Sequence, residues 1–286
     1  MVWLLEPEIA ASMRAAAKSG VTPTQAWADD TTAQVRAVAD GSLPRIYSTA
    51  GETGEIRIEG ILTRAPDFMA WLIGGGNTTY SDIVMSLRAA DADPAIESVR
   101  LRVHSPGGEF AGRLELINTV RAMTKPVEAT ASLAASAAFA IAANAGKLYA
   151  VDNASAFGSV GTVSEYHVDP AVVSITSTEA PGKRPDVTTE EGRAMVRAHL
   201  DEAHQVFAQA IADGRGVTVE TVNANYGRGA VVLAATAASR GMIDGVASAT
   251  PSTFTPPEPN AGETIEARTP MDTTELQAKH PALYAQ

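Results

Sequence analysis

Val127-Glu128-Ala129-Thr130-Ala131 is followed closely by Ala134-Ala135-Ser136-Ala137-Ala138-Phe139-Ala140-Ile141-Ala142-Ala143. The first run reads as a strand and the second as a small-residue helix, with Ser136 at the junction. The start of a helix leaves backbone N–H groups without intrahelical acceptors and carries a partial positive charge. A serine held there can attack a carbonyl carbon and leave the resulting oxyanion beside donors. A related turn lies upstream, where the strand Ser98-Val99-Arg100-Leu101-Arg102-Val103 runs into Ser105-Pro106-Gly107-Gly108. Glycine lets backbone approach a ligand closely. One turn with a nucleophile and another with unencumbered amides point to acyl-transfer chemistry.

Around these turns, strand and helix patterns alternate. Residues 55–62 alternate at period two, and 81–90 and 113–123 carry helical patterns. The long helix expected over 189–213 opens with Thr-Thr-Glu-Glu, a cap followed by an acidic first turn. Its Val196, Leu200, Ala203, Phe207, Ala210 and Ile211 form an apolar stripe at three- and four-residue spacing. Such alternation implies an α/β fold, a sheet covered by helices.

Ser105-Pro106-Gly107-Gly108, Ala134-Ala135-Ser136, and Phe157-Gly158-Ser159-Val160-Gly161 resemble, in order, the signatures of the S49 serine peptidases. The block 207–217 with Asp213-Gly214-Arg215-Gly216-Val217, and the closing Gly241-Met242-Ile243-Asp244-Gly245-Val246, extend the resemblance over residues 54–247. That family includes signal-peptide peptidase A and capsid maturation proteases of tailed phages. The resemblance implies a ClpP/crotonase-like fold of stacked βαβ units. The chain departs from many members in carrying Ala137-Ala138 after the serine instead of two glycines. The resemblance makes Ser136 the nucleophile. Gly107 and Gly108 then contribute one oxyanion-hole amide and Ala137 the other.

A serine nucleophile needs a base. The chain has five histidines: His104, His167, His199, His204 and His280. None stands in a recognisable acid–base partnership. A lysine can act instead when an apolar site favours its neutral form, and Ser-Lys pairs are a known variant of triad logic. Lys183 follows the strand-like run 172–177 and the turn Pro181-Gly182, and taken alone it is an ordinary loop lysine. The resemblance makes it the general base, and it makes Ser159 the residue that orients the lysine amine; a turn serine bonded to its own backbone is the alternative for Ser159. Lys147, at the head of a strand expected over 148–151, and Lys125, before Pro126, are the other lysines weighed.

Composition narrows the classes. The 286 residues allow one substantial core with appendages. The absence of cysteine rules out disulfides and thiolate metal sites, and neither metal nor cofactor is expected. A net charge of −11 without a basic cluster argues against a nucleic-acid surface. The N-terminal apolar run is too short for a signal peptide, and no stretch approaches the roughly 20 apolar residues of a membrane span. These features shift the expectation from a membrane-anchored signal-peptide peptidase toward the phage branch.

The expected organisation is a helical region over 1–50, the protease domain over 51–248, a flexible proline-rich linker over 249–270, and a final segment 271–286. Within the first region, 7–18 has a helical pattern and Thr22-Pro23-Thr24 a helix start. The final segment opens with a capping pattern and resembles the start of a phage capsid scaffold; a disordered tail is the alternative. The expected protein is a homo-oligomeric serine endopeptidase of the host cytoplasm or phage procapsid. Its substrates would be capsid and scaffold proteins, including its own extension. A signal-peptide peptidase-like enzyme, a crotonase-type acyl-CoA enzyme and a non-catalytic assembly scaffold remain as alternatives.

Overall fold

The computed structural model describes residues 3–5, 27, 43–74, 77–166, 168, 171 and 174–247. The expected helices at 7–18 and from Thr22, the linker 249–270 and the segment 271–286 lie outside the described residues.

The larger sheet is built on three parallel strands: β3 (Thr53–Glu59), β6 (Ser98–Ser105) and β8 (Val127–Ala135). Their sequences alternate because one face packs on the core and the other meets solvent. Ile56, Ile58, Val99, Leu101 and Val103 point inward. On the outer face Arg100 bridges Glu55 (3.3 Å) and Glu128 (3.6 Å), and Arg102 lies 3.8 Å from Glu55. β2 (Tyr47–Ala50) joins β3 antiparallel through a turn at Gly51, whose φ is +61°. β2 and the short strand β1 (Trp3–Leu5) both fall within the 1–50 stretch expected to be helical. Each finds an open strand edge there, on β3 and on the strand Gly107–Glu109 respectively, and edge pairing overrides local helix pattern.

The smaller sheet has the order β1, β7 (Gly107–Glu109), β4 (Ile61–Thr63), β5 (Asn77–Thr79). It is fed from the larger one. β3 passes into β4 through Gly60, at φ +68°, and β6 passes into β7 through Pro106. After β4 comes helix α1 (Phe68–Gly74). Helix α2 (Tyr80–Ala92) follows β5, capped by the Thr79 hydroxyl, which accepts from the Asp82 N–H. Helix α3 (Arg113–Ala122) follows β7, and α4 (Ala137–Ala142) follows β8.

The remaining elements close the far edges. β9 (Lys147–Ala150) pairs with the first half of β8, and β10 (Ala156–Gly158) with its end. Helix α5 (Glu190–Arg215) is capped by Thr189 and stops at Gly216, in the left-handed conformation. Its Phe207, Ala208, Ala210 and Ile211 are buried, whereas Val196 and Leu200, nearer its start, are half-buried. After α6 (Val219–Asn225) come β11 (Val231–Leu233), α7 (Ala234–Ser239) and β12 (Gly245–Val246), the last parallel to β9.

The strand expected over 172–177 does not form in its described part. Residues 174–177 are in no strand, and Ile175 is 92% exposed. The run has β-branched residues, but β10 is already flanked by β8 and β11, and residues 174–177 pair with no strand of either sheet. No helix among the described residues is long and apolar enough to cross a membrane.

Candidate active site

The carboxyl ends of β3, β6, β8 and β10 meet on one side of the larger sheet. Glu59 pairs with His104, Ser105 with Ala134, and Gly158 with Ala135. The next residues of these strands, Gly60, Pro106, Ser136 and Ser159, therefore form one row. Ligand sites of α/β folds characteristically lie at such ends.

Ser136 stands between β8 and α4 at φ 53°, ψ −121°, 1% exposed. A non-glycine residue at positive φ costs about 1–3 kcal/mol and persists only where its surroundings over-determine it. Here they do. The Ser136 N–H donates to the Gly158 carbonyl (2.7 Å), and its carbonyl accepts from the Ala140 N–H (3.1 Å), the first bond of α4. Ala134, Ala135, Ala137 and Ala138 are fully buried around it, packed where larger side chains have no room. Phe139 meets Tyr226 edge-on at 6.2 Å. A serine on a strained strand-to-helix turn is the geometry of a nucleophile elbow. Among the described residues no hydrogen bond engages its hydroxyl.

The Gly107-Gly108 turn is held by Ser105. Its hydroxyl donates to the Gly60 carbonyl (2.7 Å) and accepts from the Gly107 N–H (3.2 Å). It thus ties the two crossings between sheets together. Gly108 faces Leu62 across the β4–β7 pairing so closely that a Cβ there would lie 1.8 Å from the Leu62 carbonyl oxygen. No other residue fits. On its opposite edge β7 meets β1, with Leu4 opposite Gly108.

Ser159 also sits at φ 53° and is 8% exposed; its N–H donates to the Ala230 carbonyl (3.0 Å). Gly158 precedes it at φ +123°, with no space for a Cβ against that same carbonyl. Beside this turn a cavity of about 530 Å³ opens between Val160–Thr162 and α5, where Arg197, Leu200 and His204 line it.

Lys183 ends a 3-10 turn (Pro181–Lys183) and is exposed. The structure brings Ser136, Ser159 and the Gly107-Gly108 turn together, but it makes no hydrogen bond between Lys183 and any of them. Around Lys183 the chain from 162 to 189 exposes Val163, Tyr166, Val168 and Ile175.

Of the other bases weighed, four are engaged elsewhere. Lys147 lies 3.3 Å from Asp244. Lys125 donates to the Ala90 (2.6 Å) and Asp93 carbonyls at the end of α2, a capping role. His104 bonds Ser132 (2.8 Å) and His204 bonds Asn223 (2.8 Å). His199 is exposed on α5, and His167 and His280 lie outside the described residues.

Sequence reasoning passed over Ser105 as a structural anchor. It also missed Tyr80 and Arg113, which bond the carbonyls following the glycine pair. Ser105 was visible in its motif; the other two carry no local signal.

The Clp protease family profile matches residues 73–157, a span that takes in Gly107, Gly108, Ser136 and Ala137 but ends before Ser159 and Lys183. The head-tail preconnector protein GP5 of Enterobacteria phage P21 is 27% identical over 203 residues, 65% of this chain and 39% of that protein. Capsid assembly protease C of Escherichia phage lambda is 24% identical over 159 residues, 51% of this chain and 36% of that protein. The matched part thus spans well under half the length of either relative. With the two-sheet topology, the family match gives the chain a ClpP/crotonase-like α/β fold.

Proposed function

We propose that this chain is a serine endopeptidase of phage prohead maturation, with Ser136 as nucleophile and Lys183 as general base. The observation that carries the reading is Ser136 itself. A buried serine is held at strained positive φ on a strand-to-helix turn, one strand away from a glycine pair. The similarity to a lambda capsid assembly protease and a P21 preconnector protein supports the phage setting, with capsid and scaffold proteins as substrates.

In this reading Ser136 Oγ attacks the carbonyl carbon of a peptide bond while its proton passes to Lys183 Nζ. The oxyanion that forms is stabilised by the N–H groups of Ala137 and Gly108. Ala137 is the first residue of α4, where no intrahelical acceptor is available. Gly107 is less suited, because its N–H already donates to Ser105. Collapse breaks the C–N bond, and Lys183 returns the proton to the leaving amine. Water, deprotonated by Lys183, then hydrolyses the acyl-enzyme ester.

For Lys183 to act as base, its amine must leave water and approach Ser136 beside Ser159. Val163, Tyr166, Val168 and Ile175 supply a reason for the chain from 162 to 189 to repack. Laid against a second copy, they would remove apolar surface from water and close the base side, in cis or from the neighbour. A homo-oligomer is therefore the active form. Its setting is the host cytoplasm or the procapsid. The linker 249–270 is the expected place of self-cleavage, which would free 271–286 as the start of a scaffold.

Labelling with a fluorophosphonate, mapped by mass spectrometry, tests the reading: the adduct should fall on Ser136. Turnover of a CoA thioester with no peptide hydrolysis would transfer the site to crotonase-type chemistry.

A further inference from the structure

We propose that Tyr80 and Arg113 are positioning residues for the oxyanion-binding strand. They grip the two carbonyls that follow Gly107-Gly108 and so set the direction of the Gly108 amide. The inference rests on the proposed use of that amide.

The Tyr80 hydroxyl donates to the Glu109 carbonyl at 2.6 Å, and Arg113 Nη1 donates to the Phe110 carbonyl at 2.6 Å. These are the first and second carbonyls after the glycine pair. Tyr80 is 4% exposed and Arg113 fully buried. Each opens a helix whose start is fixed from elsewhere. Tyr80 begins α2 directly after β5, and Arg113 begins α3 after Gly112, at φ +93°. A Cβ on Gly112 would lie 3.1 Å from the Tyr80 ring, so the turn between the two grips packs on the tyrosine.

Packing alone does not account for these residues. The Arg113 guanidinium lies 3.7 Å from the Phe110 ring centroid and 5.1 Å from that of Phe207. Its Nε and Nη2 have no hydrogen-bond partner among the described residues. Burying a cation with donors unsatisfied is costly, and an apolar side chain of similar volume is often the more stable choice. Burial pulls the Arg113 pKa down to about 10, so it remains cationic at neutral pH. Burial likewise pushes the Tyr80 hydroxyl well above its ordinary range, though Arg113 opposes the shift. Methionine and phenylalanine would fill the same volumes; the grip on consecutive carbonyls is what they would lose.

That grip matters because β7 is three residues long and two of them are glycines, which bring no side-chain restraint of their own. A misplacement of about 1 Å at a reacting centre can cost on the order of a hundredfold in rate.

The test compares Tyr80→Phe, Arg113→Lys and Arg113→Met with wild type in peptide hydrolysis, well below each melting midpoint. We expect Tyr80→Phe to lower kcat about tenfold and Arg113→Met on the order of a hundredfold, with KM within about twofold. Arg113→Lys should recover part of the loss, since an ammonium can still donate to the Phe110 carbonyl. A peptide aldehyde, whose hemiacetal oxygen needs the same amides, should lose affinity by the factor lost in kcat/KM. The cleaved product peptide should bind as to wild type. If Arg113→Met does not fold, Tyr80→Phe and Arg113→Lys carry the test. Wild-type kcat in both would overturn the proposal, as would equal losses of aldehyde and product affinity, the mark of a purely structural role. Hydrolysis that survives Ser136→Ala would remove the nucleophile reading and this inference with it. An inactive Ser136→Ala beside fully active Tyr80→Phe and Arg113→Lys removes this inference alone.

Discussion

The junction that carries Ser136 and the stretch that carries Lys183 are built on opposite terms. From Ala134 to Ala143 every residue is buried, and the one strained conformation, at Ser136, is locked by bonds to Gly158 and Ala140. From 162 to 189 the described chain has only a 3-10 turn and an isolated bridge as regular structure, and its apolar side chains face outward. Backbone strain has to be held by packing, so the Ser136 half of the proposed site is built within one chain. A base needs only proximity and desolvation, and both can come from repacking or from a second copy.

The largest effects should fall on the two chemical groups. Ser136→Ala should lower peptide hydrolysis by on the order of 10³-fold or more, at an unchanged melting midpoint, because it removes one oxygen from a pocket already lined by alanine. Lys183→Arg should cost roughly 10²- to 10⁴-fold, since a guanidinium keeps its proton and cannot serve as base. Lys147→Arg should match wild type, because Lys147 is occupied at Asp244. Full activity in Lys183→Arg would leave the exposed stretch with no chemical role.

The same substitution at two glycines separates the regions by stability. Gly108→Ala puts a Cβ 1.8 Å from a backbone oxygen and should cost about 3 kcal/mol or more in urea unfolding. Gly182→Ala meets nothing within 4 Å and should change stability by less than about 1 kcal/mol, in the stabilising direction. A smaller effect is expected from Ile175→Asp. It should leave the melting midpoint alone but shift association to higher concentration in light scattering, and lower specific activity only in dilute protein. A variant that associates and turns over as wild type would take the 162–189 stretch out of the interface.

These contrasts also mark what could be read in advance. β3, β6 and β8 were legible because one face of each is apolar and the other carries charged or polar residues, a period-two pattern with a single physical cause. The alanines around Ser136 announced close packing, but nothing in them announced φ 53°. The run 172–177 has strand-like composition, yet a strand also needs a partner strand, which local sequence does not encode. Tyr80 and Glu109 lie 29 positions apart, so their bond is a property of the fold. Lys183 came from resemblance, and its exposed 3-10 turn makes no hydrogen bond to Ser136, Ser159 or the glycine pair.

The smallest expected effect tests whether the far end of the sheet is independent of the site. Asp244 accepts from Arg215 Nη1 and the Leu148 N–H, each at 2.9 Å, and from Lys147 at 3.3 Å. It thereby staples β12 and the end of α5 to β9. Burial by itself would raise the Asp244 pKa, but the bonds from Arg215, Leu148 and Lys147 outweigh it and hold the carboxyl below its ordinary value. A carboxyl depressed in the folded state adds stability that is present above the unfolded pKa and is lost as pH falls through the folded one. Asp244→Asn should therefore cost about 1 kcal/mol at pH 7, and the gap to wild type should narrow below about pH 4. Lys147 pairs with Glu128, eight positions before Ser136 along β8, which places the staple roughly 25 Å from Ser136. Peptide turnover at pH 7 should accordingly be unchanged. A fall in kcat with Asp244→Asn would show that packing at the amino end of the sheet is transmitted to Ser136. The rigidity of the junction would then belong to the whole sheet.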